Sequence, residues 1–344
     1  MKAKNKIRFM IFLILTAFLL LTSCENDAKK NTSCYLEGLD LSEEQVTMVT
    51  EILGMEKMSV TEEDLASVRQ ITVAGRQIAD GMCLSEFGGT EYCVQGKQYP
   101  YEEGYGNELS VLAFFANLEE LQILYAPALT DAAFLSSLSQ LRTLNLCMTN
   151  IRDLSSLASL EKLTDVTIEV CPVETIAFHP DNRMNSVSLR DTRIGDASVF
   201  GTLSTNMTSL AIARHQVPVG NLDILERFTA LDSLYIGIPD ADLSFMKEMT
   251  APLTYISVEG MDAPDLQNLQ AFADTLTGIS LRDVSCVDLT PLDLLPHLDS
   301  ISMFHVTDPV RGEKTQKDSD SLEADVDMSL NFFKWFSYDE TDET

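Results

Sequence analysis

Apolar residues along this chain follow neither the 3.6-residue period of an amphipathic helix nor the strict alternation of a half-buried strand. The stretch LRTLNLCMTNIRDLSSLASLEKL (141–163) shows the arrangement: apolar-x-x-apolar-x-apolar, a polar turn, then Ile151, Leu154, Leu157 and Leu160. The leading pattern occurs at Val68/Ile71/Val73, Leu118/Leu121/Ile123, Leu141/Leu144/Leu146, Leu163/Val166/Ile168 and Met184/Val187/Leu189. It continues at Met207/Leu210/Ile212, Leu231/Leu234/Ile236, Leu253/Ile256/Val258, Leu276/Ile279/Leu281 and Leu298/Ile301/Met303. From Leu118 onward the steps are 23, 22, 21, 23, 24, 22, 23 and 22 residues, too even for an accident of composition. This spacing predicts a coil with a short strand on one side and a loose return on the other. In LRTLNL the strand aims Leu144 and Leu146 inward and Arg142, Thr143 and Asn145 outward. One coil cannot bury its own leucines, so neighbours stack. With strands pairing in parallel at about 4.8 Å per rung, ten rungs span roughly 45 Å.

Repetition at this period marks a leucine-rich repeat. The sequence resembles the short-repeat bacterial leucine-rich repeat proteins of the internalin-like kind found on cell surfaces. The likeness covers about residues 60–306, is closest in 141–163 and fades in CPVETIAFHPDNRMNSV (171–187). The fold expected is an α/β solenoid whose concave face is a parallel sheet of about ten short strands. These repeats usually carry an Asn whose side chain bonds backbone along the turn. Its place here holds Arg76, Thr149, Cys171, Thr192, His215, Val284 and Val306, so irregular turns are expected.

The flanks read differently. Two short helices are expected within an N-terminal cap over 41–67, because Ser42/Gln45 and Thr61/Asp64 have capping-box spacing. In the first, Val46, Val49 and Leu53 share a face and Gly54 is a stop. The repeat domain, 68–306, is interrupted after its first repeat by an insertion over 79–108. There EYCVQGKQYPY reads as a β-hairpin around Gln95-Gly96, and ELSVLAFFANLEEL as a helix that restores the register. The insertion either shapes a binding site or is a tolerated surface excursion. Residues 307–344 form an acidic linker and then MSLNFFKWFSYDE, an aromatic segment with the single tryptophan, Trp335. The simplest reading makes that segment a cap on the last open edge; the alternative is an exposed peptide that docks a partner.

At the other end, Lys2, Lys4, Lys6 and Arg8 precede an apolar run and LTSC, the order of a secretion signal. The LTSC ending resembles a bacterial lipobox. The resemblance implies a signal peptide over 1–23, lipidation of Cys24, a tether over 24–40 and attachment to the extracytoplasmic face of the cell membrane. The chain carries 24 basic and 53 acidic residues, a net charge of −29. A body so acidic repels nucleic acid and leaves cationic partners open. Cys83 and Cys93 flank a short glycine-containing segment and are a candidate disulfide, while Cys34, Cys147, Cys171 and Cys286 have no motif spacing.

No nucleophile–base spacing, phosphate loop or metal-ligand cluster is present, so no catalytic residue, cofactor or metal is implied. What remains is the outward face of the strands. Its central row reads Thr72, Gln122, Asn145, Thr167, Ser188, Ala211, Tyr235, Ser257, Ser280 and Ser302. A second row includes Cys147, Glu169, Arg190, Ala213, Gly237, Glu259, Arg282 and Phe304, and a third includes Tyr125, Met148, Val170, Asp191, Arg214, Ile238, Gly260, Asp283 and His305. Tyr125, Arg190, Arg214, Tyr235, Tyr255, Arg282 and Phe304 are the residue types that carry interface energy, and they form the candidate contact surface. Alternatively, the arginines pair with acids on neighbouring rungs. The function expected is a non-catalytic, membrane-anchored module that binds a surface or extracellular protein or peptide. The alternative is an envelope-organising lipoprotein acting through the insertion or the aromatic segment; a hydrolase has no supporting constellation.

Overall fold

A computed structural model describes residues 35–79, 84–88, 91–94, 97–100, 104–215, 217–239, 241, 243–285 and 287–307, with backbone alone from 79 to 100. The signal segment, Cys24, Cys83, the side chain of Cys93 and residues 308–344 lie outside the described residues.

Strand β1 (Gln70–Ala74) lies near one end of an eleven-stranded sheet, with β2 (Gln77–Ala79) antiparallel outside it. Strands β3 (Leu84–Gly88), β4 (Glu91–Val94) and β5 (Lys97–Pro100) make a separate antiparallel sheet, β4 and β5 flanking Gln95-Gly96. On its other side β1 pairs in parallel with β6 (Glu120–Tyr125), which pairs with β7 (Thr143–Cys147). The two-residue strands β8 (Asp153–Leu154) and β10 (Thr175–Ile176) pair with each other away from the main sheet. The main sheet continues through β9 (Asp165–Glu169), β11 (Ser186–Arg190), β12 (Ser209–Ala213), β13 (Ser233–Gly237), β14 (Tyr255–Glu259), β15 (Gly278–Arg282) and β16 (Ser300–Phe304), all parallel. The central row stays in register from Thr72 to Ser302, each residue opposite its counterpart on the next strand.

Every coil but one closes through a short 3₁₀ turn rather than an α-helix; the return between β9 and β11 has only β10 and a turn. Leucine spacing explains the 3₁₀ form: Leu154, Leu157 and Leu160 are three apart, and a helix of three residues per turn, here Ser155–Ser159 between the two outer leucines, sets them on one face behind Ile151. All four are buried. The segment expected to be a returning helix takes the same tighter form, Asn107–Phe114. Five returns open on an aspartate whose Oδ1 accepts from the amide two residues on: Asp131, Asp153, Asp196, Asp265 and Asp288. That bond lets the chain turn without leaving bare the first amide of the 3₁₀ segment, or the second in the returns after Asp196 and Asp265.

The turns leaving the strands are more regular than the missing Asn suggests. The third-row residues Met148, Val170, Asp191, Arg214, Gly260, Asp283 and His305 all have φ between 49° and 64°. In these seven coils the left-handed residue ends the strand and tips the next one inward, whereas Tyr125 and Ile238, at the same row position, have no positive φ. The inward residue is buried at Thr149, Cys171, Thr192, His215, Val284 and Val306. Two polar pairs replace the usual Asn ladder there: Thr149 Oγ1 donates to Cys171 Sγ at 3.2 Å, and Thr192 Oγ1 lies 3.2 Å from His215 Nδ1. Burial pushes the His215 pKa down to about 4, so the ring is neutral. Arg76 departs from the series: β2 turns back beside β1, leaving Arg76 exposed, ion-paired with Glu44 and 5.1 Å from the Tyr105 ring centroid.

At the N-terminal end, α1 (Glu43–Leu53) and α2 (Glu62–Ser67) carry the two capping boxes, and Gly54 stops α1 with φ 61°. The buried face of α1 is Met48, Val49 and Ile52; Val46 and Leu53 sit at its margins. Tyr35–Gly38, within the stretch read as a tether, forms a 3₁₀ turn and buries Leu36. One continuous core runs from Leu36 to Val306.

Candidate functional site

The outward face of the sheet is built from the same registers that stack the leucines. Arg190 ends β11 and Glu259 ends β14, three strands away. Between them stand Ala213 on β12 and Gly237 on β13. These small residues leave a trough, and the Arg190 side chain lies along it to reach Glu259, Nη1 to Oε2 at 3.1 Å. Both side chains are nearly covered, at 9% and 10% exposure. The floor tolerates nothing larger than hydrogen at one point: a Cβ on Gly237 would sit 2.6 Å from the Glu259 carbonyl oxygen.

Arg214 extends the network in the other direction. Its Nη2 donates to Glu169 Oε1 on β9 at 2.6 Å, and its Nε lies 3.1 Å from Asp191 Oδ2 and 4.0 Å from Glu259 Oε1. Three carboxylates thus meet two guanidinium groups. Glu169 is 1% exposed; its second oxygen, Oε2, has no hydrogen-bond partner among the described residues, and the same is true of the nearby Ser188 Oγ. Burial pushes the Glu169 carboxyl above its usual range, and the two arginines only partly offset it. The Asp191 carboxyl is raised for the same reason, and Arg190 is lowered by burial.

Aromatic rings flank this network. The Arg190 guanidinium lies 5.6 Å from the Tyr235 ring centroid, and the rings of Tyr235 and Tyr255 are 5.5 Å apart. Burial holds the Tyr235 hydroxyl up at about 12 and raises Tyr255, so both remain protonated hydrogen-bonding groups. Toward the last coil Arg282 stacks 5.2 Å from the Phe304 ring centroid, and His305 Nδ1 is 2.9 Å from Asp283 Oδ1.

The leucine-rich repeat solenoid has solved counterparts. No protein-family model matches the chain, and none of the curated proteins matches it. In three dimensions it is similar to an internalin, InlF, of Listeria monocytogenes: TM-score 0.53, 19% identity, 77% of this chain and 69% of that one. Internalin C2 of the same organism aligns over 76% of this chain and 92% of its own, with TM-score 0.47 and 17% identity. The fold is that of a leucine-rich repeat. Nothing finer about activity follows from similarity at this level.

Of the seven residues singled out from sequence, the fold brings Arg190, Arg214, Tyr235 and Tyr255 into one tract, with Arg282 and Phe304 adjoining it. Tyr125 stands apart on β6. The arginine roles differ from a simple contact surface, since Arg190 and Arg214 hold acids of this chain. Their partners Glu169, Asp191 and Glu259 are part of the site and were not singled out. Row position did contain the signal: Arg190 is directly opposite Glu169, and Glu259 directly opposite Arg282. Cys147, beside Glu169, is a buried thiol pushed well above its usual range by burial and by that carboxylate, so it is unreactive.

Proposed function

We propose that this protein is a membrane-anchored, extracytoplasmic leucine-rich repeat protein that binds a protein or peptide on its concave sheet and has no catalytic role. The observation that carries this reading is the tract from Arg214 to Phe304: aromatic rings and guanidinium groups held on parallel strands by a paired ionic network. Side chains fixed in this way lose little further entropy when a partner arrives, which favours binding. Tyrosine, phenylalanine and arginine supply apolar area together with polar tips. The partner's chemistry is cationic, because the network has one acid more than it has arginines and the chain carries a net −29. The anchor in this reading is lipid on Cys24, which keeps the solenoid at the outer face of the membrane.

Capture of native surface proteins by the protein, compared with the Tyr255→Ala, Arg282→Ala and Phe304→Ala variants, tests the concave-face assignment. Loss of a reproducible partner is expected, and unchanged capture by all three variants refutes it. Cys24→Ser is expected to move the protein from the membrane fraction to the soluble one; retention on the membrane removes the anchor from the reading.

A further inference from the structure

We infer that the outer edge of the concave sheet over β6, β7 and β9 is a second docking strip, shaped for a basic amphipathic helix of a partner protein. The third-row residues form this edge. On three successive rungs they are apolar, Tyr125, Met148 and Val170, and on the next two they are charged, Asp191 and Arg214. Val170 is 42% exposed, while Tyr125 and Met148 are half-buried. Pro127 and Pro172, two residues on from Tyr125 and Val170, are half-buried as well. Folding alone gives no reason for Val170 here. Its φ of 52° strains a β-branched residue, much of its side chain meets water, and Gly260 or Asp283 makes the same turn elsewhere. Ile238, at the same row position, shows the contrast: it has no positive φ, is 1% exposed and belongs to the core.

Both ends of the strip are bounded, and the bounds select the occupant. At one end the chain returning from the insertion presses close: a Cβ on Gly104 would sit 2.9 Å from the Tyr125 carbonyl oxygen and 2.9 Å from Pro127 Cδ. At the other stands the ionic network, whose three acids outnumber its two arginines. Tyr125 and Asp191 are three rungs apart, roughly 14 Å at the usual strand spacing. A helix advances 5.4 Å per turn and rungs lie about 4.8 Å apart, so a helix along the stack sets one turn on each rung. Apolar side chains at i, i+4 and i+7 then cover Tyr125, Met148 and Val170, and a lysine or arginine one turn on reaches Asp191. The excess acid of the network and the net charge of −29 select a basic helix over an acidic one. A second copy is a poorer occupant, because two chains so acidic repel one another. The strip rests on the protein-binding reading above but uses none of the aromatic tract from Tyr235 to Phe304, so the two fail separately.

The test uses the full chain and a fluorescein-labelled helical peptide of about 15 residues, with leucines at i, i+4 and i+7 and lysines beside them, followed by anisotropy. Val170→Asn is expected to weaken binding about tenfold without lowering Tm, and Val170→Ile to keep it. Retained Tm separates a lost contact from a lost fold. Equal binding by Val170→Asn and the wild-type chain overturns the proposal. So does equal binding of a scrambled peptide or of one with glutamate in place of lysine, and so does no binding of the lysine peptide at about millimolar concentration. Weakening by Phe304→Ala but not by Val170→Asn overturns the strip and leaves the aromatic tract as the site. Weakening by Val170→Asn but not by Phe304→Ala supports the strip and shows it acting without the tract. Dimerisation of the chain that Val170→Asn abolishes assigns the edge to a second copy and overturns the proposal.

Discussion

At the residue scale the fold depends on backbone positions that composition does not reveal. Val170 is β-branched and holds φ 52°, where a Cβ crowds the following carbonyl. Gly260 takes the equivalent place two strands beyond Arg214 without that crowding. Val170→Asn is therefore expected to stabilise the protein by about 1 kcal/mol, read as a higher Tm; a lower Tm would mean that packing of the isopropyl group matters more. Gly237 makes the opposite case. An added methyl meets the Glu259 carbonyl at 2.6 Å and the Ala213 Cα and Cβ at 3.3 Å, all on strands that cannot separate without breaking ladder hydrogen bonds. Gly237→Ala is expected to cost about 1–3 kcal/mol in denaturant unfolding. Leucines at three-residue spacing announced the coil from sequence, since burial constrains them everywhere. The glycine was not legible in that way, because its role depends on what a strand 22 residues later places above it.

At the scale of elements, the return turns and the strands are stabilised by different means. An aspartate at the head of each of five returns is a local device, and hydrogen bonds from Ser155 and from Asn221 and Ser198 hold the Asp153 and Asp196 carboxyls below their usual range. The ionic network is a device between strands. Three acids and two arginines leave one excess negative charge, and Glu169 is the acid that burial penalises most visibly. An acid whose folded pKa exceeds its unfolded one keeps its proton longer when folded. Its contribution to stability therefore falls as pH rises from the ordinary carboxylate range to the raised value. Glu169→Gln is expected to raise Tm at neutral pH, with the difference from wild type vanishing in mild acid. A lower Tm at neutral pH would show that attraction to Arg214 outweighs burial. Arg214→Met is expected to cost about 3 kcal/mol, because it leaves Glu169 buried without its counter-ion. Sequence rows placed these residues on the right face and at the right rungs. They did not show that Arg190 reaches over two strands, since that depends on the small residues Ala213 and Gly237 lying in its path.

At the scale of the whole molecule, charge and shape act together. A chain of net charge −29 repels itself, and its 24 arginines and lysines are too few against 53 acids to relieve it. Salt screens this repulsion over a Debye length of about 8 Å at physiological ionic strength, so Tm is expected to rise as salt is added from low concentration. A falling Tm would mean that exposed pairs such as Arg152–Glu174 and Arg76–Glu44 dominate instead. The bond between Arg190 and Glu259 has a further mechanical consequence. It joins the two ends of an arc of four strands, as a string joins the tips of a bow. Flattening the sheet there would have to stretch that chord and expose both charges. Arg214 likewise ties the end of β12 back to Glu169 on β9, so bending under load is expected to fall on the spans outside β9–β14.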